Sequence, residues 1–356
     1  MKAVILKDNK KLNIIDKPLE KLNSNLCRIK IQNVGLCSSD IQRSHGGGAY
    51  FYPLIMGHEI SGKIVEIGKN IANYSVGDRI AVFPLLPCFK CEPCNRETYA
   101  QCYDYSYFGS RTDGGYAEYL DVPEWNILKL PENVSFQDAA LIEPLSVVVH
   151  ALKRVRLLNI NSENIPGKTI IIGAGFLGLL AVQILRSKFP DIDLTIIDRN
   201  AFKLDMAGKF VNKKIQLDNS DEWLDFLNKY SFQYVIEATG SPEAFKNSIS
   251  LAANRGSILW MGNITNKLTL QKDLVSALLR KELSIIGTWN SIYRPQKPDD
   301  WNDSIKFIQN GVRPSRLVTH WISLDKLPDT LKKLYDHKRR KKKFDAIKVM
   351  VNNRAL

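Results

Sequence analysis

The stretch KTIIIGAGFLG, residues 168–178, runs from four consecutive β-branched residues into three glycines, Gly173, Gly175 and Gly178. The β-branched run favours a strand, and the apolar residues that follow in FLGLLAVQILRSKF recur at helical spacing from Phe176. A strand that turns through Gly-x-Gly-x-x-Gly into a helix suits a dinucleotide. The glycines permit a tight turn and close approach to a pyrophosphate, while the helix start, with Phe176 and Leu177, offers unpaired N–H groups and the positive end of its dipole. Alone the glycine pattern is weak. Here the next strand, LTIID, ends at Asp198, 20 residues after Gly178, where a carboxylate meets an adenosine ribose. That carboxylate would repel a 2′-phosphate and so favours NAD over NADP; Arg199 beside it works against this preference.

Further along the chain, QYVIEATG, GSILWMG and LSIIGTW (Leu283 to Trp289) continue the alternation of strands with helices. The fold class is therefore α/β, with a doubly wound parallel sheet predicted over 149–289. Residues 1–148 read differently: KAVIL, CRIKIQNVG, SGKIVEIG, DRIAVF and YAEYLDV are short β-branched runs cut by turn signals, which predict a β-rich, barrel-like domain. Residues 290–356 carry no second nucleotide motif and are expected to complete that first domain. A chain of 356 residues with 44% apolar content can fill two cores.

Four of the six cysteines, Cys88, Cys91, Cys94 and Cys102, follow the pattern Cys-x-x-Cys-x-x-Cys-x7-Cys. Four thiolates can close a tetrahedron round zinc, which makes the cluster a candidate structural site and argues for a reducing compartment, the cytoplasm. Cys27 reads as a plain core residue. A second set of donors is dispersed: Cys37 in GLCSSD, His58 and Glu59 in GHE, and Glu143 in IEP. Three protein ligands plus an open position suit a catalytic zinc. Spacing alone does not pair them, and singly His58 reads as a satisfied loop or core histidine and Glu143 as a helix-boundary residue.

The net charge is +13, but lysines are scattered and the one dense run is Lys338 to Lys343, which reads as a solvated helix end. Nucleic acid is not an expected partner. The rival reading, a zinc-ribbon nucleic-acid-binding protein, would need two Cys-x-x-Cys knuckles where this chain has one compact cluster beside a dinucleotide motif. No membrane partner is expected, since about 18 consecutive apolar residues never occur.

At GLCSSD, GHE, GDRIAVFPLLPCFKCEPC, GSRTDGGYAEY, IEP and IIIGAGFLG the chain resembles the zinc-containing medium-chain dehydrogenases over most of its length. The resemblance implies a GroES-like catalytic domain, a Rossmann coenzyme domain, NAD, and two zinc ions, one catalytic and one structural. Cys37, His58 and Glu143 then look like catalytic zinc ligands, with Glu59 as an exchangeable partner, and Cys88, Cys91, Cys94 and Cys102 like the structural lobe. A glutamate as third ligand is similar to the polyol dehydrogenase branch. Within it PLLPCFKCEPC, YAQCYDY and LRKELSIIGTWNS imply galactitol 1-phosphate as substrate, oxidised to tagatose 6-phosphate, with sorbitol or threonine as alternatives. By motif position Ser39 resembles a proton relay. Lys203 falls near the ribose with Asp198, and Thr288, Trp289 and Asn290 fall near the nicotinamide. Arg43, six residues after Cys37, falls where the substrate is contacted and is read as a phosphate contact. His45 and the Gly46 to Gly48 run look like an exposed, flexible loop. Members of the family are usually homodimers or homotetramers. CSSD in place of Cys-Gly-Ser-Asp, and the basic tail, depart from the pattern without touching the zinc chemistry.

Overall fold

The computed structural model describes residues 1–161, 163–339 and 344–353, and these divide into two compact units. One comprises Met1–Pro144, Ile292–Gln309 and the described residues from Pro314 on; the other comprises Leu145–Ser291 with Asn310–Arg313. Of the basic run Lys338 to Lys343, positions 340–343 lie outside the described residues.

The first unit is built round the long strand Leu26–Leu36, which pairs antiparallel with Glu59–Ile67, with Tyr119–Pro123 and with Lys348–Asn352. Arg79–Val82 and Ile127–Lys129 extend the sheet beyond Glu59–Ile67, and Val318–Ile322 lies parallel to Lys348–Asn352 on the other side. Alternate residues Ile29, Ile31, Ile60 and Ile64 are essentially fully buried, each worth about 1.5–3 kcal/mol relative to exposure. The strand register places Gly35 opposite Glu59 on one side and Met350 on the other. A Cβ at position 35 would come within 1.8 Å of Glu59 Oε2, so only glycine leaves that carboxylate its place.

Cys37 comes directly after the strand and caps the helix Ser38–His45, with Asp40 closing a capping box. This helix packs on Leu327–Lys338. His45, read from the sequence as an exposed loop residue, is instead the last residue of that helix. It is buried, with its ring stacked on Tyr335 at 5.4 Å between centroids. Cys27 is fully buried in the core.

The second unit holds a six-stranded parallel sheet in the order Lys213–Gln216, Leu194–Asp198, Thr169–Ile172, Phe232–Glu237, Ala252–Trp260, Ser284–Gly287. The chain winds outward from Thr169–Ile172 in one direction and then in the other. The switch point therefore lies between that strand and Phe232–Glu237, and in such sheets ligands bind beyond the carboxyl ends there. Ile170, Val235 and Ile258 are fully buried, as expected for strands covered on both faces. Among the described residues no helix is long and apolar enough to cross a membrane.

Candidate active site

Within the first unit Cys37, His58 and Glu59 offer a thiol, an imidazole nitrogen and a carboxylate oxygen that all lie within 4.8 Å of one another. His58 and Glu59 are buried and Cys37 nearly so. Glu59 Oε1 accepts from Lys348 Nζ at 2.5 Å, in a pair whose side chains are 1% and 4% exposed. Glu59 Oε2 is buried with no hydrogen-bond partner among the described residues. A buried carboxylate oxygen left unpartnered is costly, and a cation relieves it. The thiol, imidazole and carboxylate donors, with one oxygen of that carboxylate left without a hydrogen bond among the described residues, fit a zinc ion.

Asp40 orders this set from behind. Fully buried, it accepts from the Tyr116 hydroxyl at 2.7 Å, from the Cys37 N–H at 3.1 Å and from Arg43 Nη1 at 3.1 Å, and its Oδ1 stands 3.6 Å from His58 Nδ1. At that distance Asp40 acts on the ring through its charge rather than through a hydrogen bond, and the loss of a carboxylate supporting a ligating histidine typically costs 10–100-fold in metal affinity or activity. Asp40→Asn is therefore expected to lower kcat/KM by about that factor with little loss of fold, measured with coenzyme and zinc both saturating. An unchanged pH profile and rate would remove Asp40 from this role.

Glu143, at the start of the helix Ile142–Arg154, is buried beside the set, and its Oε1 accepts from the Tyr107 hydroxyl at 3.1 Å. The ring of Tyr107 in turn meets His58 edge-on at 5.7 Å. Burial opposes the charge on His58, yet the Asp40 carboxylate, with Cys37 and Glu143, lifts the imidazole to about 10. Burial likewise resists ionisation of Cys37, but His58 outweighs it and holds the thiol below its ordinary value. Burial raises Glu143, His58 pulls it back and Glu59 adds to the rise, leaving it at about 7. The site thus gathers several anionic donors round one imidazole, which is the electrostatic demand of a divalent cation.

The cysteine lobe also lies in the first unit. Cys91 Sγ is 3.4 Å from Cys94 Sγ and 3.8 Å from Cys102 Sγ, and Cys88 Sγ is 4.0 Å from Cys94 Sγ. Zinc–sulfur bonds of about 2.3 Å in a tetrahedron set sulfurs about 3.8 Å apart, so the four fit a zinc ion with no ligand position left open. The Cys88 N–H donates to Cys102 Sγ at 3.3 Å, offsetting part of the thiolate charge.

In the second unit the glycine turn has the geometry its motif requires. Gly173 has φ +108°, and a Cβ on Gly178 would lie 2.0 Å from Gly173 O. Gly175, which caps the helix Phe176–Lys188, faces no protein atom within 4 Å of where its Cβ would be. The first two contacts serve the fold, and the third leaves open space for a ligand. Gly175→Ala is accordingly expected to fold normally and raise the KM for NAD about tenfold, checked by initial rates at saturating polyol. Asp198 Oδ2 accepts from the Ala174 N–H at 2.8 Å and Oδ1 from the Asn200 N–H at 2.9 Å, so it braces the turn and keeps lone pairs for a diol. Lys203 sits in the helix Ala201–Asp205 just beyond. Thr288, Trp289 and Asn290 come after the outermost strand; Thr288 Oγ1 is buried without a partner among the described residues and Trp289 is exposed.

Residues 23–132 match the alcohol dehydrogenase GroES-like domain, and residues 137–349 match the glucose dehydrogenase C-terminus. The chain is 34% identical over 287 residues to galactitol 1-phosphate 5-dehydrogenase of Escherichia coli, covering 79% of this chain and 80% of that protein. It is 29% identical to sorbitol dehydrogenase of Bacillus subtilis, over 99% of this chain and 97% of that one. The crystal structure of galactitol-1-phosphate dehydrogenase from Escherichia coli aligns with a TM-score of 0.86 at 29% identity, covering 99% of this chain and 100% of that chain. The chain belongs to the zinc-containing medium-chain dehydrogenases. Within them its relatives are polyol dehydrogenases, and it is an oxidoreductase of that kind, with the GroES-like and parallel-sheet folds read from its sequence.

In this dehydrogenase the structure brings Cys37, His58 and Glu59 together, with Glu143 beside them but outside the 4.8 Å set. Ser39 lies half-buried in the first turn of Ser38–His45, with its Oγ 3.5 Å from Arg43 Nη1. Arg43 is directed to Asp40, with a side chain only 13% exposed. Sequence reasoning missed Asp40, Tyr107, Tyr116 and Lys348. Asp40, three residues from Cys37, was within reach of a helix-cap reading of CSSD; the other three carry no local signal.

Proposed function

We propose that this dehydrogenase oxidises galactitol 1-phosphate to tagatose 6-phosphate with NAD, using one catalytic and one structural zinc. The observation that carries the reading is the buried donor set of Cys37, His58 and Glu59, with its unpartnered carboxylate oxygen. The identity to galactitol 1-phosphate 5-dehydrogenase supports the choice of polyol.

Cys37, His58 and Glu143 would hold the catalytic zinc, with Glu59, tethered by Lys348, as the exchangeable partner. Zinc held there would supply a Lewis acid to the substrate hydroxyl and so ease the loss of its proton. The hydroxyl of Ser39 can accept that proton while donating its own, so it serves as the first relay. Asp40, 3.6 Å from Nδ1, supports the charge on the His58 ring. NAD would supply the hydride acceptor. Gly173, Gly175 and Gly178 open the helix start to its pyrophosphate, Asp198 and Lys203 face its ribose, and Thr288, Trp289 and Asn290 flank the nicotinamide, where the unpartnered Thr288 hydroxyl can donate to an amide.

Initial rates of NADH formation with galactitol 1-phosphate, galactitol, sorbitol and threonine test the substrate. The phosphorylated hexitol is expected to show the highest kcat/KM. A preference for sorbitol or threonine would replace the substrate while keeping the chemistry.

The assembly we propose is a homodimer or homotetramer in the cytoplasm, where the six free thiols stay reduced. Val275 and Leu279 are 52% and 80% exposed on the helix Lys272–Arg280, and the edge strand Ser284–Gly287 exposes Ile285, features that favour a second copy. Sedimentation should give a multiple of 40.4 kDa, and a monomer at all concentrations would refute it.

A further inference from the structure

A phosphate monoester is recognised best by a guanidinium whose charge is not already balanced and whose N–H edges are free to donate in pairs. Arg43 keeps its Nε–H without a partner among the described residues but fails the first condition, since its charge is balanced. Its Nη1 donates to Asp40 Oδ1 at 3.1 Å, and drawing it away would leave a fully buried carboxylate uncompensated beside His58. We infer that Arg111 is the residue that binds the substrate's phosphate, an assignment that rests on the reading of the substrate as a polyol phosphate.

Arg111 is exposed, and among the described residues it has no carboxylate within ion-pair distance. Its guanidinium carbon lies 4.3 Å from the ring centroid of Tyr105 and 4.7 Å from that of Tyr50. Its side chain donates to Tyr105 O across a long 3.5 Å. Aromatic rings against a guanidinium restrain its plane and leave its edge N–H groups available. The backbone fixes where that edge is offered, because the Arg111 N–H donates to Tyr107 O at 2.9 Å.

Tyr107 is the same residue whose hydroxyl donates to Glu143 and whose ring meets His58. Tyr105 meets Tyr107 edge-on at 6.5 Å. The rings of Tyr107 and Tyr105 therefore form a run with the donor set at its inner end and an uncompensated, preorganised arginine at its outer end. A polyol whose reacting hydroxyl sits at the inner end carries its distant phosphate toward Arg111. An unphosphorylated polyol has nothing to offer there, so Arg111 determines specificity.

The test compares kcat/KM for galactitol 1-phosphate with that for galactitol, at saturating NAD, in the wild type, Arg111→Leu and Arg111→Lys. The ratio is expected to fall about 10- to 100-fold in Arg111→Leu, with Arg111→Lys between, since the charge remains but the fork is lost. Arg43→Leu is expected to lower both substrates together. Residual turnover of galactitol reports that each variant is folded. An unchanged ratio in Arg111→Leu overturns the subsite and leaves the substrate reading standing. Should the wild type show no preference for the ester, the substrate reading fails and inorganic phosphate judges the subsite. Inhibition competitive with whichever polyol is turned over, and lost in Arg111→Leu, supports it; inhibition equal in the variant, or absent from the wild type, overturns it.

Discussion

His58→Ala is expected to lower kcat/KM for polyol oxidation by about 10³-fold or more, because a bound metal supplies several kcal/mol of transition-state stabilisation and each 1.36 kcal/mol is a factor of ten. The substitution removes one of three donors lying within 4.8 Å of one another, and it takes from Asp40 the ring that its Oδ1 faces. Asp40 keeps its bonds to Tyr116, Arg43 and the Cys37 N–H, so the helix Ser38–His45 should stay in place. The loss should therefore fall on catalysis rather than on folding. Binding of NADH, followed by its fluorescence, should be retained because the glycine turn belongs to the other unit. Retention of more than a tenth of the wild-type rate would exclude His58 from the metal site.

Cys94→Ser is expected to lower the melting temperature by roughly 10 °C, the size expected from losing several kcal/mol of metal-coupled folding energy in a chain of this class. Residues 88–102 contain little regular structure: a four-residue helix, Glu92–Asn95, and a single turn, Tyr99–Gln101. Phe89 and Tyr99 meet the ring of Trp125 at 5.0 and 5.1 Å, and Trp125 meets Phe83 and Tyr293 deeper in the same unit. Glu97 adds ion pairs to Lys297 and Arg294. Loosening the lobe uncovers Trp125, so a red shift of tryptophan emission should accompany the loss of one zinc per chain. A variant with unchanged melting temperature and emission would mean the aromatic packing holds the lobe without metal.

The parts of this molecule that could be read from its sequence are those whose determinants are local. The glycine turn, its strand and Asp198 lie within one βαβ unit, and the cysteines of the lobe are spaced within one loop, so periodicity and spacing suffice. The donor set is not local. Cys37, His58 and Glu59 meet because Gly35 pairs with Glu59 across two strands, a register that no spacing rule contains, and only the family resemblance joined them beforehand. Lys348 is 289 residues from Glu59 and arrives by way of the returning strand Lys348–Asn352. The misreading of His45 has the same origin. Gly46 to Gly48 suggest a loop, but the tertiary contact of Tyr335 with the helix end decides the burial. The sequence reads Arg43 as a phosphate contact; its ion pair with Asp40 became visible only once the helix was seen to turn both side chains to one face, three residues apart.

In the function proposed for this dehydrogenase, catalysis depends above all on a metal that Cys37, His58, Glu59 and Glu143 would hold. Its most direct test is NADH formation from a polyol before and after dialysis against a zinc chelator, with zinc then added back and bound metal measured at each stage. Activity that disappears as the more exchangeable zinc leaves, and returns in proportion as it is restored, is the predicted result. Full turnover by enzyme shown to contain no metal would contradict it.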